Sequence, residues 1–181
     1  MISVITSTHK RPELLKKCIE SVQQQSYQDY EHIIVSDGID KETRKVVEVY
    51  KDPKIRYFEV EHFGNHSRPK NEGTRQSKGE YINYLDDDVE FRVDHLAILL
   101  KEIENSGVDI VYGERWMIDD VGLGEDGVKM ESTIGTTSEF SSGILMRANF
   151  IDTSDALVKR EVLFNLGGWD ERYKKFLDWN L

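Results

Sequence analysis

Apolar and polar positions along residues 1–113 switch repeatedly between a strand-like and a helix-like period. Ile2 to Thr6 is β-branched and almost wholly apolar, which predicts a strand buried on both faces. Pro12 suits the first turn of a helix, and Leu15, Cys18, Ile19 and Val22 then recur at helical spacing. Glu31 to Ser36 predicts a second strand, which Asp37-Gly38 closes with turn chemistry. Lys41 to Tyr50 predicts a second helix, Ile55 to Val60 a third strand and Lys70 to Ser77 a third helix. Glu80 to Leu85 predicts a fourth strand that runs into three consecutive aspartates. Leu96, Leu99, Leu100 and Ile103 share one side of a further helix, before a strand at Asp109 to Tyr112. Repeated βα units predict an α/β domain: a central, mostly parallel sheet with helices on both faces.

The second half is less regular. Arg115 to Ile118 and Val128 to Ser132 flank Asp126-Gly127 as the arms of a hairpin. Ile144 to Ile151 and Ala156 to Val158 read as short strands, and Lys159 to Asn165 as a helix ended by Gly167-Gly168. No repeat, linker or low-complexity stretch interrupts the chain, so one domain over residues 1–181 is expected.

Charge and composition narrow the partners. A formal net charge of −10 argues against binding a nucleic-acid backbone. It leaves anionic small molecules open, provided cations gather locally, and Lys10, Arg11, Arg68 and Lys70 are the candidates. The single cysteine, Cys18, cannot form an internal disulfide, which fits a reducing cytoplasm. It falls on the apolar stripe of its helix, so a buried structural thiol is expected. No apolar run approaches the roughly 20 residues of a membrane span.

The aspartate triplet Asp86-Asp87-Asp88 is the most informative chemistry. In an extended segment Asp86 and Asp88 point to one side and Asp87 to the other. Ligands of open α/β sheets bind beyond the carboxyl ends of the strands. Two carboxylates there repel unless a cation or protons intervene, and manganese or magnesium is the natural partner. A solvated acidic turn capping a helix near Val93 is the competing reading. Gly122-Leu123-Gly124-Glu125-Asp126-Gly127 matches the dinucleotide-binding pattern in letters only, because its acids repel pyrophosphate and no helix follows. His62 and His66 are four apart, but Gly64 and Asn65 between them argue against a helical zinc pair.

Four ordered segments together resemble glycosyltransferase family 2. They are Ser3 to Leu15, Val35-Ser36-Asp37-Gly38, the run from Lys70-Asn71-Glu72-Gly73 to Leu85-Asp86-Asp87-Asp88, and Gly167-Gly168-Trp169-Asp170-Glu171 with Leu177-Asp178-Trp179. The resemblance implies a GT-A fold, with a nucleotide-binding half at residues 1–113 and an acceptor-side half at 114–181 that is expected to continue beyond the chain's end. It implies an inverting transfer from a nucleoside-diphosphate sugar, most often a UDP-sugar, to a hydroxyl of a glycan, a lipid-linked or another acceptor. Hexosyl and N-acetylhexosaminyl donors, and cell-surface polysaccharide biosynthesis, belong to that expectation. Carried over by position, Thr8, His9, Arg11, Asp37, Lys70, Asp86 and Asp87 are donor residues, Asp86 and Asp88 metal ligands, and Asp178 the general base. His9 stands where tyrosine is usual, Lys70 where arginine is usual, Ser36 replaces an acid, and Leu177 replaces a glutamate. The implied setting is cytoplasmic, with peripheral contact at the inner face of the membrane. A nucleotidyltransferase and a non-catalytic nucleotide-sugar-binding module are the alternatives; the former generally wants a glycine-rich first loop, and Thr6 to Arg11 has no glycine.

Overall fold

The computed structural model describes residues 1–113, 115–123, 129–136, 140–145, 147 and 149–173, with segments 115–123 and 129–136 described by backbone alone. Strands β1 (Ile2–Thr8), β2 (Tyr30–Asp37), β3 (Ile55–Val60) and β4 (Tyr81–Tyr84) alternate with helices α1 (Pro12–Gln23), α2 (Lys41–Val49) and α3 (Ser67–Gln76). Then follow α4 (His95–Ser106), β5 (Ile110–Tyr112), β6 (Arg115–Leu123), β7 (Lys129–Thr136), the short helix α5 (Ser142–Leu145), a 3-10 turn at Thr153–Asp155, β8 (Ala156–Lys159) and α6 (Arg160–Leu166).

The main sheet has the order β3-β2-β1-β4-β8-β5. β1 runs parallel to both β2 and β4, with Ile2 opposite Tyr30 on one side and Tyr81 on the other. β2 and β3 are also parallel. β8 inserts antiparallel between β4 and β5, pairing Ile82 with Val158 and Val111 with Leu157. β1 has a parallel neighbour on each edge, and all seven of its residues are buried, the polar Ser3, Thr6, Ser7 and Thr8 included. Alternate side chains serve opposite faces: Ile2 and Val4 join Cys18, Val22, Leu96 and Leu99, while Ile5 joins Ile33, Ile82, Leu163 and Trp169. Cys18 is fully buried, as its place on the stripe of α1 predicts.

Three boundaries differ from the sequence reading. α3 begins at Ser67 rather than Lys70, because Pro69 lies in the first turn, where a missing N–H costs nothing. The hairpin arms β6 and β7 are antiparallel and longer than expected, and Asp126-Gly127 lies outside the described residues. Among the described residues of Ile144 to Ile151 no strand is found; residues 142–145 instead form one helical turn. The Ser141 carbonyl accepts from Ile144 N and Leu145 N, and Ile144 stays exposed, so its apolarity does not mark a core strand.

Candidate active site

Because β1, β2 and β4 are parallel neighbours, their carboxyl ends open on the same side of the sheet. A cleft of ≈ 370 Å³ lies there, and its walls include Thr8, His9, Arg11, Asp37, His62 and Asp87. Five of the expected donor residues therefore meet in one place.

Asp37, the last residue of β2, is buried and fastens the chain that follows β3. Its Oδ1 accepts from Phe63 N at 2.7 Å and its Oδ2 from Gly64 N at 2.9 Å. His62 Nδ1 lies 3.0 Å from the same Oδ2. The next residue, Gly38, has φ 106, a conformation that favours glycine, and this allows the chain to turn sharply under His62. His9 Nδ1 lies 2.6 Å from the Asp37 carbonyl oxygen, and the His9 and His62 rings stack with centroids 4.5 Å apart.

The aspartate triplet is not extended. β4 ends at Tyr84, and Val89 N donates to the Asp86 carbonyl at 3.1 Å, closing a turn. The alternation expected of a strand therefore gives way to three separate environments. Asp87 is only 2% exposed; it accepts from Thr8 Oγ1 at 2.7 Å and from Arg11 Nη1 at 3.2 Å. Burial raises its carboxyl above the ordinary aspartate range, outweighing the Thr8 hydrogen bond and the Arg11 charge. Asp88 is half-exposed and shares Arg11 Nη1, also at 3.2 Å. Asp86 faces the other way, with Oδ1 3.2 Å from Lys70 Nζ.

Lys70 is buried and does not reach the cleft surface. Its ammonium sits 4.8 Å from the Trp169 ring centroid and donates to Thr153 Oγ1 at 3.2 Å. Although Lys70 is close enough to Asp86 for ion pairing, it is not aimed as a hydrogen-bond donor, and Asp86 Oδ1 is buried without such a partner. Asp86 Oδ1 is thus a buried carboxylate oxygen that lacks a hydrogen bond and faces an ammonium, while Asp88 is half-exposed on Arg11.

A contact that the sequence reading missed ties α3 to the Gly167-Gly168-Trp169 segment. Asn71 Nδ2 donates to the Trp169 carbonyl at 2.9 Å, and Trp169 N donates to Asn71 Oδ1 at 2.8 Å. Gly168, at φ 77, leaves room for this clamp, since a Cβ there would lie 2.7 Å from Asn71 Oδ1. Glu171 takes bonds from both Asn71 and Arg68, and Asn65 Nδ2 donates to the Tyr173 carbonyl at 3.0 Å. Asn71 sits inside a quoted motif, but its partner is about a hundred positions away and no local pattern announces it. Asp178 lies outside the described residues.

The Glycosyl transferase family 2 profile matches residues 3–164. The chain belongs to glycosyl transferase family 2. Its curated relatives include the GalNAc(5)-diNAcBac-PP-undecaprenol beta-1,3-glucosyltransferase of Campylobacter jejuni, 31% identical over 173 residues, covering 91% of this chain and 53% of the relative. Glycosyltransferase GlyG of Streptococcus pneumoniae is 27% identical over 122 residues, covering 66% of this chain and 40% of the relative. The chain thus spans about half the length, or less, of these curated relatives. Among solved structures, S. aureus TarS 1-349 in complex with UDP-GlcNAc superposes with a TM-score of 0.75 at 19% identity, covering 98% of this chain and 51% of that one. Mannosyltransferase PcManGT from Pyrobaculum calidifontis, in complex with GDP-Man and Mn2+, gives 0.67 at 18% identity, covering 94% and 47%. The fold of this family 2 glycosyltransferase domain is accordingly GT-A-like.

Proposed function

We propose that this family 2 domain binds a nucleoside-diphosphate sugar in the cleft above β1, β2 and β4 and transfers the sugar to an acceptor hydroxyl with inversion. The observation that carries this reading is the meeting of Thr8, His9, Arg11, Asp37 and Asp87 at the carboxyl ends of parallel strands. A UDP-sugar is the donor favoured by the TarS likeness, whose structure holds UDP-GlcNAc.

In this reading His9 offers its ring face to the base, and Asp37 fixes the loop that carries His62 beside it. Arg11 supplies the cationic edge of the cleft, already oriented by Asp87 and Asp88. Asp86 and Asp88 would hold a divalent ion, manganese or magnesium, which neutralises charge developing on the departing diphosphate. Lys70 positions Asp86 from below rather than touching phosphate. Asp178 takes the acceptor's hydroxyl proton as that oxygen bonds to the anomeric carbon and the carbon–phosphate oxygen bond breaks. A positioned base of this kind contributes typically ~10²–10⁴-fold.

A lipid-linked acceptor is favoured by the Campylobacter relative, whose name specifies a PP-undecaprenol substrate. Among the described residues no helix is long and apolar enough to cross a membrane. An apolar groove of ≈ 860 Å³ whose walls include Ile110, Tyr112, Phe140, Leu145, Ile151 and Val158 offers a surface on the acceptor side.

Calorimetry with UDP and manganese, paired with a transfer assay, tests the reading. Asp88→Ala should abolish the manganese-dependent part of UDP binding. Asp178→Asn should leave UDP affinity within a few-fold while transfer falls by about 10²-fold or more. UDP affinity unchanged in Asp88→Ala removes the metal role, and transfer at the wild-type rate in Asp178→Asn removes the base.

A further inference from the structure

Residues 61–66 join β3 to α3 without helix or strand. His62, Gly64, Asn65 and His66 of this loop line the cleft. Two strands hold it in place. Asp37 of β2 accepts from Phe63 N and Gly64 N, and Ser7 Oγ of β1 bonds His66 Nδ1 at 2.9 Å.

The same loop also reaches the segment that follows Trp169. Asn65 is only 8% exposed, and both ends of its amide are committed: Oδ1 accepts from Ser67 N at 3.1 Å, and Nδ2 donates to the Tyr173 carbonyl at 3.0 Å. Arg68, in the first turn of α3, lays its guanidinium 3.8 Å from the Phe63 ring centroid. From there its Nε donates to Glu171 Oε2 at 3.2 Å. The cleft wall and the chain that continues toward Asp178 are thus bonded to each other through two side chains, about a hundred positions apart in sequence. Breaking either contact leaves polar groups to find new partners, so the loop and residues 169–173 hold their arrangement together.

We propose that Asn65, assisted by Arg68, is a positioning residue that transmits donor occupancy from the cleft wall to residues 169–173. A nucleotide seated against loop 61–66 stills the loop, and a loop already stilled orders its bonded partner at lower entropic cost. Asn65 acts here through Tyr173 and not on a reacting atom. The segment leading to Asp178 is then fully ordered only in the donor-loaded protein, which sets donor before acceptor. This inference rests on the donor reading given above.

The test is amide hydrogen exchange over residues 168–173, with and without UDP and manganese at a saturation fixed by calorimetry. The reporters are Trp169 N, bonded to Asn71 Oδ1, with Arg172 N and Tyr173 N, bonded to the Asp170 carboxylate and carbonyl. In the wild type UDP should slow their exchange by about fivefold or more. Asn65→Ser keeps an oxygen for Ser67 N but is too short for Tyr173; Arg68→Met keeps a stem on Phe63 but loses Glu171. Each should lose most of the slowing. Arg75→Ala, which removes only bonds to Glu72 within α3, should retain it. Thermal melts verify folding, and either loop variant decides if the other does not fold. UDP bound without slower exchange in the wild type overturns the link and leaves the donor reading standing. Undiminished slowing in a folded loop variant overturns it as well, as does equal loss in Arg75→Ala, which would mean a general loosening of α3. Failure of the wild type to bind UDP overturns the donor reading, and the link with it.

Discussion

Asp87 shows how a single residue divides stability from function. Its buried carboxyl is raised above its ordinary value, so between the unfolded and folded values the native chain holds the extra proton. Stability therefore falls as pH rises through that window, and above it the ionised carboxylate is a cost to the fold. Asp87→Asn removes the charge and keeps an acceptor for Thr8. The variant should melt about 2–4 °C higher at neutral pH, the response of a domain this size to roughly 1 kcal/mol, with the gap closing as pH falls. UDP binding should weaken because Arg11 loses one of its two tethers. Thermal melts from acid to neutral pH give the answer, and a gap that does not vary with pH would contradict the assignment. At this scale the gathering of Asp37 and Asp87 with Thr8, His9 and Arg11 was legible, because residues at the carboxyl ends of neighbouring parallel strands share one side of the sheet. The placements of Lys70 and His62 were not, since burial under Trp169 and stacking on His9 depend on contacts about a hundred and about fifty positions apart.

Between elements, the decisive join is α3 with the Gly167-Gly168-Trp169 turn. A side-chain amide that both donates to and accepts from one backbone residue acts as a two-bond splice. Leaving its partners unpaired costs about 1–3 kcal/mol per group. On the proposed function, in which Asp178 is the base, Asn71→Ala should therefore lower kcat more than it lowers UDP affinity, because the splice holds the Gly167-Gly168-Trp169 turn and not the cleft walls. Steady-state kinetics beside UDP calorimetry separate the two, and an equal loss in both would place the role of Asn71 on the donor side. Elements of the first half were readable because short β-branched apolar runs, Val4-Ile5 in β1 and Ile33-Ile34-Val35 in β2, mark strands buried on both faces. The second half was less so: Ile144 to Ile151 has a strand's composition, yet β8 already fills the place between β4 and β5.

Taken as a whole molecule, the domain carries a built-in acid limit. His32 is fully buried against Thr6, and burial pushes its imidazole down to about 3; His95 is pushed down to about 4 for the same reason. Both histidines protonate first in the unfolded chain, so stability is lost as pH falls from about 6.5 toward those values, by roughly 1.4 kcal/mol per pH unit for each group. His32→Gln, which keeps a partner for Thr6, should flatten the loss between pH 6 and pH 4 by about half. Urea unfolding across that range measures it, and an unchanged slope would show that His32 is not the controlling group. The sheet order carries a last consequence, for synthesis on the ribosome. β4 has β1 on one side, but its other neighbour, β8, begins about seventy residues later, and β5 joins the sheet only through β8. At about 5–20 residues per second the nascent chain holds that edge of β4 open for several seconds, a window in which a trigger-type chaperone, or another nascent copy, can pair with it first.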